Sequence, residues 1–324
     1  MNRIDIKIDA WRDQAERQDS IRQQLWQLIE SLAQSHALDL GRLLGVTVTD
    51  QLDEALANFE DGGIQNGRTL TRTKGVTEAV AVTPICKHNG QAYCRVLLMA
   101  RDVPALFEQT GKQARYILAH ELGHAHDLTQ KSKTIEHVAL NLPGDNETPP
   151  VIWQIADVIW NEYAACIKSA TEYPEMLSTM YLMLDRAIEC LPSEVRRMVT
   201  AGKNGGTSTD LLDIATETIE PILKHCSHVL GHRAGLGQDI LPLPSELEQL
   251  METHQIDSLY VELGAVLATM WISHGGWESV AEYGPLLDFV RRAYAACGLN
   301  LYVEDAAMKM KAIPETLAQI TRRP

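Results

Sequence analysis

Apolar residues recur along this chain at two different periods, and the alternation between them lays out its elements. From about Trp11 to His36, Ile21, Leu25, Leu28, Ile29 and Leu32 repeat at helical steps within a Gln- and Arg-rich background, which predicts one amphipathic helix. Gly45-Val-Thr-Val-Thr predicts a short strand. Asp50 then offers an N-cap for a helix carrying Leu52, Ala55, Leu56 and Phe59, closed by Asp61-Gly62-Gly63. Val76 to Lys87 is rich in β-branched residues, His88-Asn89-Gly90 carries the Asn-Gly hairpin signal, and Gln91 to Met99 continues as a strand.

Helical periodicity returns at about Lys112 to Leu128. A polar loop with Pro143-Gly144 and Pro149-Pro150 leads to a strongly apolar helix from about Val151 to Ala170. From Tyr173 onward nearly everything reads helical, with breaks at Gly202 to Gly206, Gly231 to Pro244 and His274 to Gly276. A last short strand is expected at Leu299 to Val303. The fold class is therefore α+β near the front and all-α behind.

Composition narrows the function. The 324 residues suffice for one large domain or two ordinary ones. A formal net charge of -14 repels phosphate backbones, and the densest basic stretches are mere pairs, such as Arg196-Arg197 and Arg291-Arg292, so no nucleic-acid partner is expected. The N-terminus lacks an apolar signal-peptide core, and no apolar run reaches bilayer-spanning length, so neither secretion nor a membrane span is expected. Cys86, Cys94, Cys166, Cys190, Cys226 and Cys297 are scattered without a CxxC pair or a disulfide-framework spacing, which fits reduced thiols and a cytoplasmic location.

The chemistry lies in Tyr116-Ile-Leu-Ala-His120-Glu121-Leu-Gly-His124-Ala-His126-Asp127. Histidines at i and i+4 project one turn apart from one helix face, so both imidazoles can reach a single Zn²⁺. Glu121 lies about a hundred degrees round the helix, beside the metal, where it can take a proton from a water. The flanking helix is apolar (Ile117, Leu118, Leu122), and Gly123 permits close approach of another backbone or of substrate.

These features, with the N-terminal helices, the Gly45-to-Thr49 strand and the hairpin ending at Met99, resemble the zincin superfamily of metallopeptidases over about Leu43 to Ala170. The resemblance implies a zincin-like catalytic half, residues 1–171, with a small sheet packed on the HExxH helix. A helical region, residues 172–324, would complete the cleft. It also implies a substrate-facing sheet edge at Cys94 to Met99 or Val76 to Val82. A catalytic zinc takes three protein ligands and keeps one position open. The metzincin extension is excluded, because Asp127 and Gln130 stand where its glycine and third histidine belong. The gluzincin branch takes a glutamate from a later helix, and the candidate is Glu162, on a stripe with Ile155, Ile159 and Cys166 where an unpaired carboxylate is costly. Asp127 competes, with a role holding an imidazole N–H favoured over direct ligation. Glu136 is a weaker option, and His126 is expected at the surface.

His225, His228 and His232 recur at helical spacing, but no carboxylate is fixed beside them, so a solvated face is the expectation. An oxyanion donor would come from Tyr163, His228, His232, Tyr260 or His274. Trp153, Trp160, Trp271 and Trp277 are expected as core or rim anchors. The resulting expectation is a zinc-dependent peptidase acting on an intracellular protein or peptide, with metal ligands His120, His124 and Glu162 and with Glu121 as general base. The alternatives are a non-catalytic zinc-binding sensor or interaction protein, and a zinc hydrolase of a non-peptide amide.

Overall fold

Ile4, Ile6 and Ile8 alternate with Asp5 and Lys7, and this period of two makes an unanticipated first strand, β1 (Asp5–Ile8), buried on its isoleucine face. The computed structural model describes residues 4–12, 14–57, 81–136, 148–203, 208–296, 299–304 and 307–312. Phe59, Asp61-Gly62-Gly63, the first residues of the Val76-to-Lys87 strand, Pro143-Gly144 and Cys297 lie outside the described residues. The chain divides into two units, Met1–Leu142 with Ala164–Pro174, and Pro143–Tyr163 with Glu175–Pro324. This division differs from the expected 1–171 and 172–324 by assigning most of the predicted Val151-to-Ala170 helix to the second unit.

In the first unit, helix α1 (Ala15–Ser35) buries Ile21, Leu25, Ile29 and Leu32, the residues whose spacing announced it. Strand β2 (Leu43–Thr49) is buried along almost its whole length because it is central, with parallel partners β1 on one side and β5 (Gln91–Met99) on the other. Helix α2 (Leu52–Ala57) follows β2. Two short antiparallel strands, β3 (Ala81–Val82) and β4 (Ile85–His88), pair with the other side of β5. The sheet is thus small and mixed, in the order β1-β2-β5 with β3 and β4 sharing the far side. The β4–β5 turn carries Asn89 at φ 50° and Gly90 at φ 84°, the left-handed pair that a tight hairpin requires. Helix α3 (Lys112–Lys131) packs against β3 and β5. The sheet and α1 and α3 enclose one apolar core that includes Leu25, Val46, Val96, Leu118 and Leu122.

Helix α4 (Pro150–Ser169) begins with proline, whose missing N–H and fixed φ suit a first helical position. The second unit takes this helix up to Tyr163 and continues with α5 (Met176–Lys203), α6 (Ser208–Gly235), α7 (Ser245–His254), α8 (Asp257–Ser273) and α9 (Gly284–Ala296). A hairpin of β6 (Leu299–Glu304) and β7 (Ala307–Ala312) follows; β6 is the last strand expected at Leu299 to Val303, and β7 is a partner that was not expected. The expected break at Gly231 is also displaced. Gly231 is buried inside α6 between Leu230 and His232, and the roughly 1 kcal/mol that a helical glycine costs does not outweigh such burial. Trp160 and Trp277, with ring centroids 4.8 Å apart, centre an aromatic core that also takes in Trp153 and Tyr283. Among the described residues, no single helix is long and apolar enough to cross a membrane.

Candidate metal centre

The helical repeat sets His120 and His124 one turn apart on α3, their rings edge to face with centroids 4.7 Å apart. One ligand atom from each imidazole and one from the Glu121 carboxylate all lie within 4.8 Å of one another, a group able to hold a metal ion. Both histidines are half-buried, whereas Glu121 is buried at 8% exposure. Two nitrogens bound to one tetrahedral zinc at about 2 Å stand roughly 3.3 Å apart, so the observed convergence needs only small side-chain rotations to close on an ion. Two imidazoles beside a carboxylate are groups suited to a divalent transition metal.

Glu121 and His120 are held from behind. Glu121 accepts a hydrogen bond at Oε2 from the Thr83 hydroxyl, at 2.6 Å. The Nδ1 of His120 lies 3.7 Å from the Cys166 thiol, and that thiol lies 3.7 Å from the Tyr116 hydroxyl. Cys166 and Ala165 come from the end of α4 that belongs to the first unit. Their approach depends on Gly123: a Cβ there would stand 2.9 Å from the Ala165 Cα, closer than real side chains come. Ala165 and Cys166 are small enough for this end of α4 to come so close to α3. Cys94 of β5 lies deep beneath the site, and burial, followed by Cys86 and the Glu121 carboxylate nearby, pushes its thiol pKa far up. Cys86 and Cys94 are both buried thiols outside any disulfide, in line with the reduced-thiol reading.

The other candidates are placed elsewhere. Glu162 lies in the second unit, with its Oε1 2.8 Å from the Lys224 ammonium and its Oε2 2.9 Å from His228 Nε2. Helix α6 thus supplies the charge partners that a carboxylate on this stripe requires. Asp127 forms a buried ion pair with Lys131 one turn on, at 2.8 Å, with side-chain exposures of 2% and 3%. Glu136 accepts from the Ala92 backbone N–H and pairs with Arg42, tying the end of α3 to the sheet. His126 corrects the surface expectation: it is buried, and its Nδ1 accepts the Asp39 backbone N–H at 2.8 Å. Its position two residues after His124 turns it toward the packed side of α3, a consequence of helical rotation that the motif obscures.

His225, His228 and His232 do share α6, but their face is not solvated. His225 and His232 are buried, and His225 Nδ1 lies 3.4 Å from His228 Nδ1. Burial first, then the His228 and Lys224 charges, lower the His225 pKa to about 3 against a smaller opposing pull from Glu162. Of the oxyanion candidates, Tyr163 has its pKa raised to about 12 by burial, and Tyr260 donates to the Ile240 carbonyl. His274 stacks on Trp271 at 5.0 Å. Thr83 is the site residue that the sequence reading passed over. Its signal was Pro84, a proline inside a β-branched run, which marks an edge strand or an interruption.

No family model, curated protein or solved structure matches this chain.

Proposed function

We propose that this chain is a zinc-dependent peptidase, with His120 and His124 holding the metal and Glu121 serving as general base. The observation that carries the reading is the convergence of His120, His124 and a buried Glu121 within 4.8 Å on a helix laid against a small mixed sheet. Zinc held there would acidify a water and polarise a substrate carbonyl. Glu121 accepts a proton at its carboxylate and delivers it to the departing amine. A carboxylate next to two imidazoles is what separates this arrangement from a structural site, which needs no base. His120 and His124 serve as neutral imidazoles, each offering one nitrogen.

The gluzincin resemblance implies Glu162 as a third ligand, whereas its carboxylate is paired with the Lys224 ammonium and His228. The substrate is a protein or peptide, and the free cysteines fit a reducing compartment.

The test is to separate metal from chemistry. Purified protein carries close to one zinc per chain, and Glu121→Gln keeps that zinc and its melting temperature. Hydrolysis of a quenched-fluorescence peptide library falls in that variant by a factor of about a hundred or more. Turnover unchanged in Glu121→Gln, or a wild-type chain that binds zinc yet cleaves nothing in the library, overturns the peptidase reading.

A further inference from the structure

Strands β3 and β4 form what would be one continuous strand along β5. Val82 pairs with Leu97 and Ile85 pairs with Cys94, so the register before the gap is the register after it. Between them only Thr83 and Pro84 leave the regular pairing, and the Pro84 carbonyl still accepts the Arg95 N–H at 3.3 Å. Pro84 has no N–H to donate and restricts the residue before it, so the interruption is written locally, at an edge where the sheet tolerates it. The gap neither shifts the strand nor adds a bulge. Its effect lies in what Thr83 does instead of pairing: its hydroxyl meets the Glu121 Oε2 at 2.6 Å and lies 3.3 Å from the Glu121 backbone carbonyl. A hydroxyl carries a single proton, and the shorter contact, to the charged acceptor, takes it.

We propose that Thr83 is the positioning residue for the general base, fixing the plane of the Glu121 carboxylate against the metal group. The proposal rests on the peptidase reading of the site. Glutamate has three side-chain torsions, and a general base loses efficiency when it wanders from the proton that it must take. The α3 backbone fixes only where the Glu121 side chain starts. Thr83 comes from a different element, the sheet edge, and grips the far end of that side chain, so the base is held at both ends. The β-branched threonine is itself stiff at χ1, which makes it a better post than a serine would be.

The test uses the full chain with Thr83→Val, which keeps the shape and removes the hydroxyl, and Thr83→Ser, which keeps the hydroxyl. Co²⁺ titration followed by visible absorption reads the metal site without activity, and its affinity stays unchanged in both variants. In a crystal structure of metal-loaded Thr83→Val, the Glu121 carboxylate leaves the orientation it has in the wild type. On the peptide library, Thr83→Val lowers kcat about ten- to a hundredfold with little change in KM, and Thr83→Ser returns it to within about threefold of wild type. Two results overturn the proposal: Glu121 unmoved in the Thr83→Val structure, or kcat unchanged there while Glu121→Gln is inactive. A purely structural threonine would lower the melting temperature alone. If instead Glu121→Gln keeps full activity, the peptidase reading fails, and the Glu121 orientation still decides whether Thr83 holds that side chain.

Discussion

Two helices in this protein carry histidines at helical spacing, and they have opposite fates. On α3, His120 and His124 turn edge to face beside a carboxylate one residue away, and their ligand atoms converge with it. On α6, His225 and His228 turn toward one another, and His228 goes on to Glu162. Among the described residues, the metal-capable group lies on α3. Spacing is common to both helices, so it does not make the difference. What differs is the company: on α3 a carboxylate from the same helix and small residues opposite, on α6 a second imidazole and a carboxylate, Glu162, already shared by Lys224 and His228. Lys224 beside Glu162 and His228 already supplies the positive charge that a metal would bring.

The comparison is most exposed to metal analysis. A His120→Ala, His124→Ala double variant should lose its zinc entirely, and a His225→Ala, His228→Ala double variant should keep close to one zinc per chain. Elemental analysis after exhaustive dialysis reads both. Zinc lost from the α6 variant alone would transfer the metal site to α6 and invert the contrast.

The α3 site was legible in the sequence because its geometry is local. His120, Glu121 and His124 lie within five residues, and a helix converts that spacing into convergence without help from the rest of the chain. The β4–β5 turn was legible for the same reason, since Asn89 and Gly90 meet their left-handed requirement by themselves. Thr83 was not, because its partner Glu121 is 38 residues away and only the sheet register brings the two together. His126 and Asp127 were misjudged or left open because a helix buried almost all round has no solvent side to assign them to. The β1 strand is legible in the alternation of Ile4, Ile6 and Ile8, whereas Gly231 signals a break that burial overrides, its helix-breaking tendency being weak.

Glu162 and Asp127 sharpen the contrast at the next level. Glu162→Ala tests the third ligand that the gluzincin resemblance implies: loss of such a ligand weakens zinc affinity strongly and removes most of the zinc-dependent rise in melting temperature. Asp127→Ala should act mainly on stability: Lys131 is left buried without that carboxylate, a loss of about 3 kcal/mol or more for a broken buried pair. Zinc competition titrations and thermal melts, each with and without metal, separate the two variants. An unchanged zinc affinity in Glu162→Ala would remove it from the ligand set and leave it as the partner of Lys224 and His228 only.

The smallest effect concerns protons on α6. Burial, together with His228 and Lys224, holds the His225 pKa near 3 in the folded chain, against about 6.5 when unfolded. Between those values the unfolded chain binds a proton that the folded chain does not, so stability falls as pH drops from about 6.5 toward 3. The slope from this one group is at most about 1.4 kcal/mol per pH unit. On α3 a different linkage operates, since protonation of His120 and His124 would expel the metal. The two are separated by working on metal-free protein, where only the α6 contribution remains. Urea unfolding at pH 7 and pH 4.5 should therefore show a loss of stability in metal-free wild type that is markedly smaller in His225→Gln. An equal loss in both proteins would mean that His225 takes up its proton as readily folded as unfolded, and the buried, mutually bonded character of the α6 histidines would have to be given up.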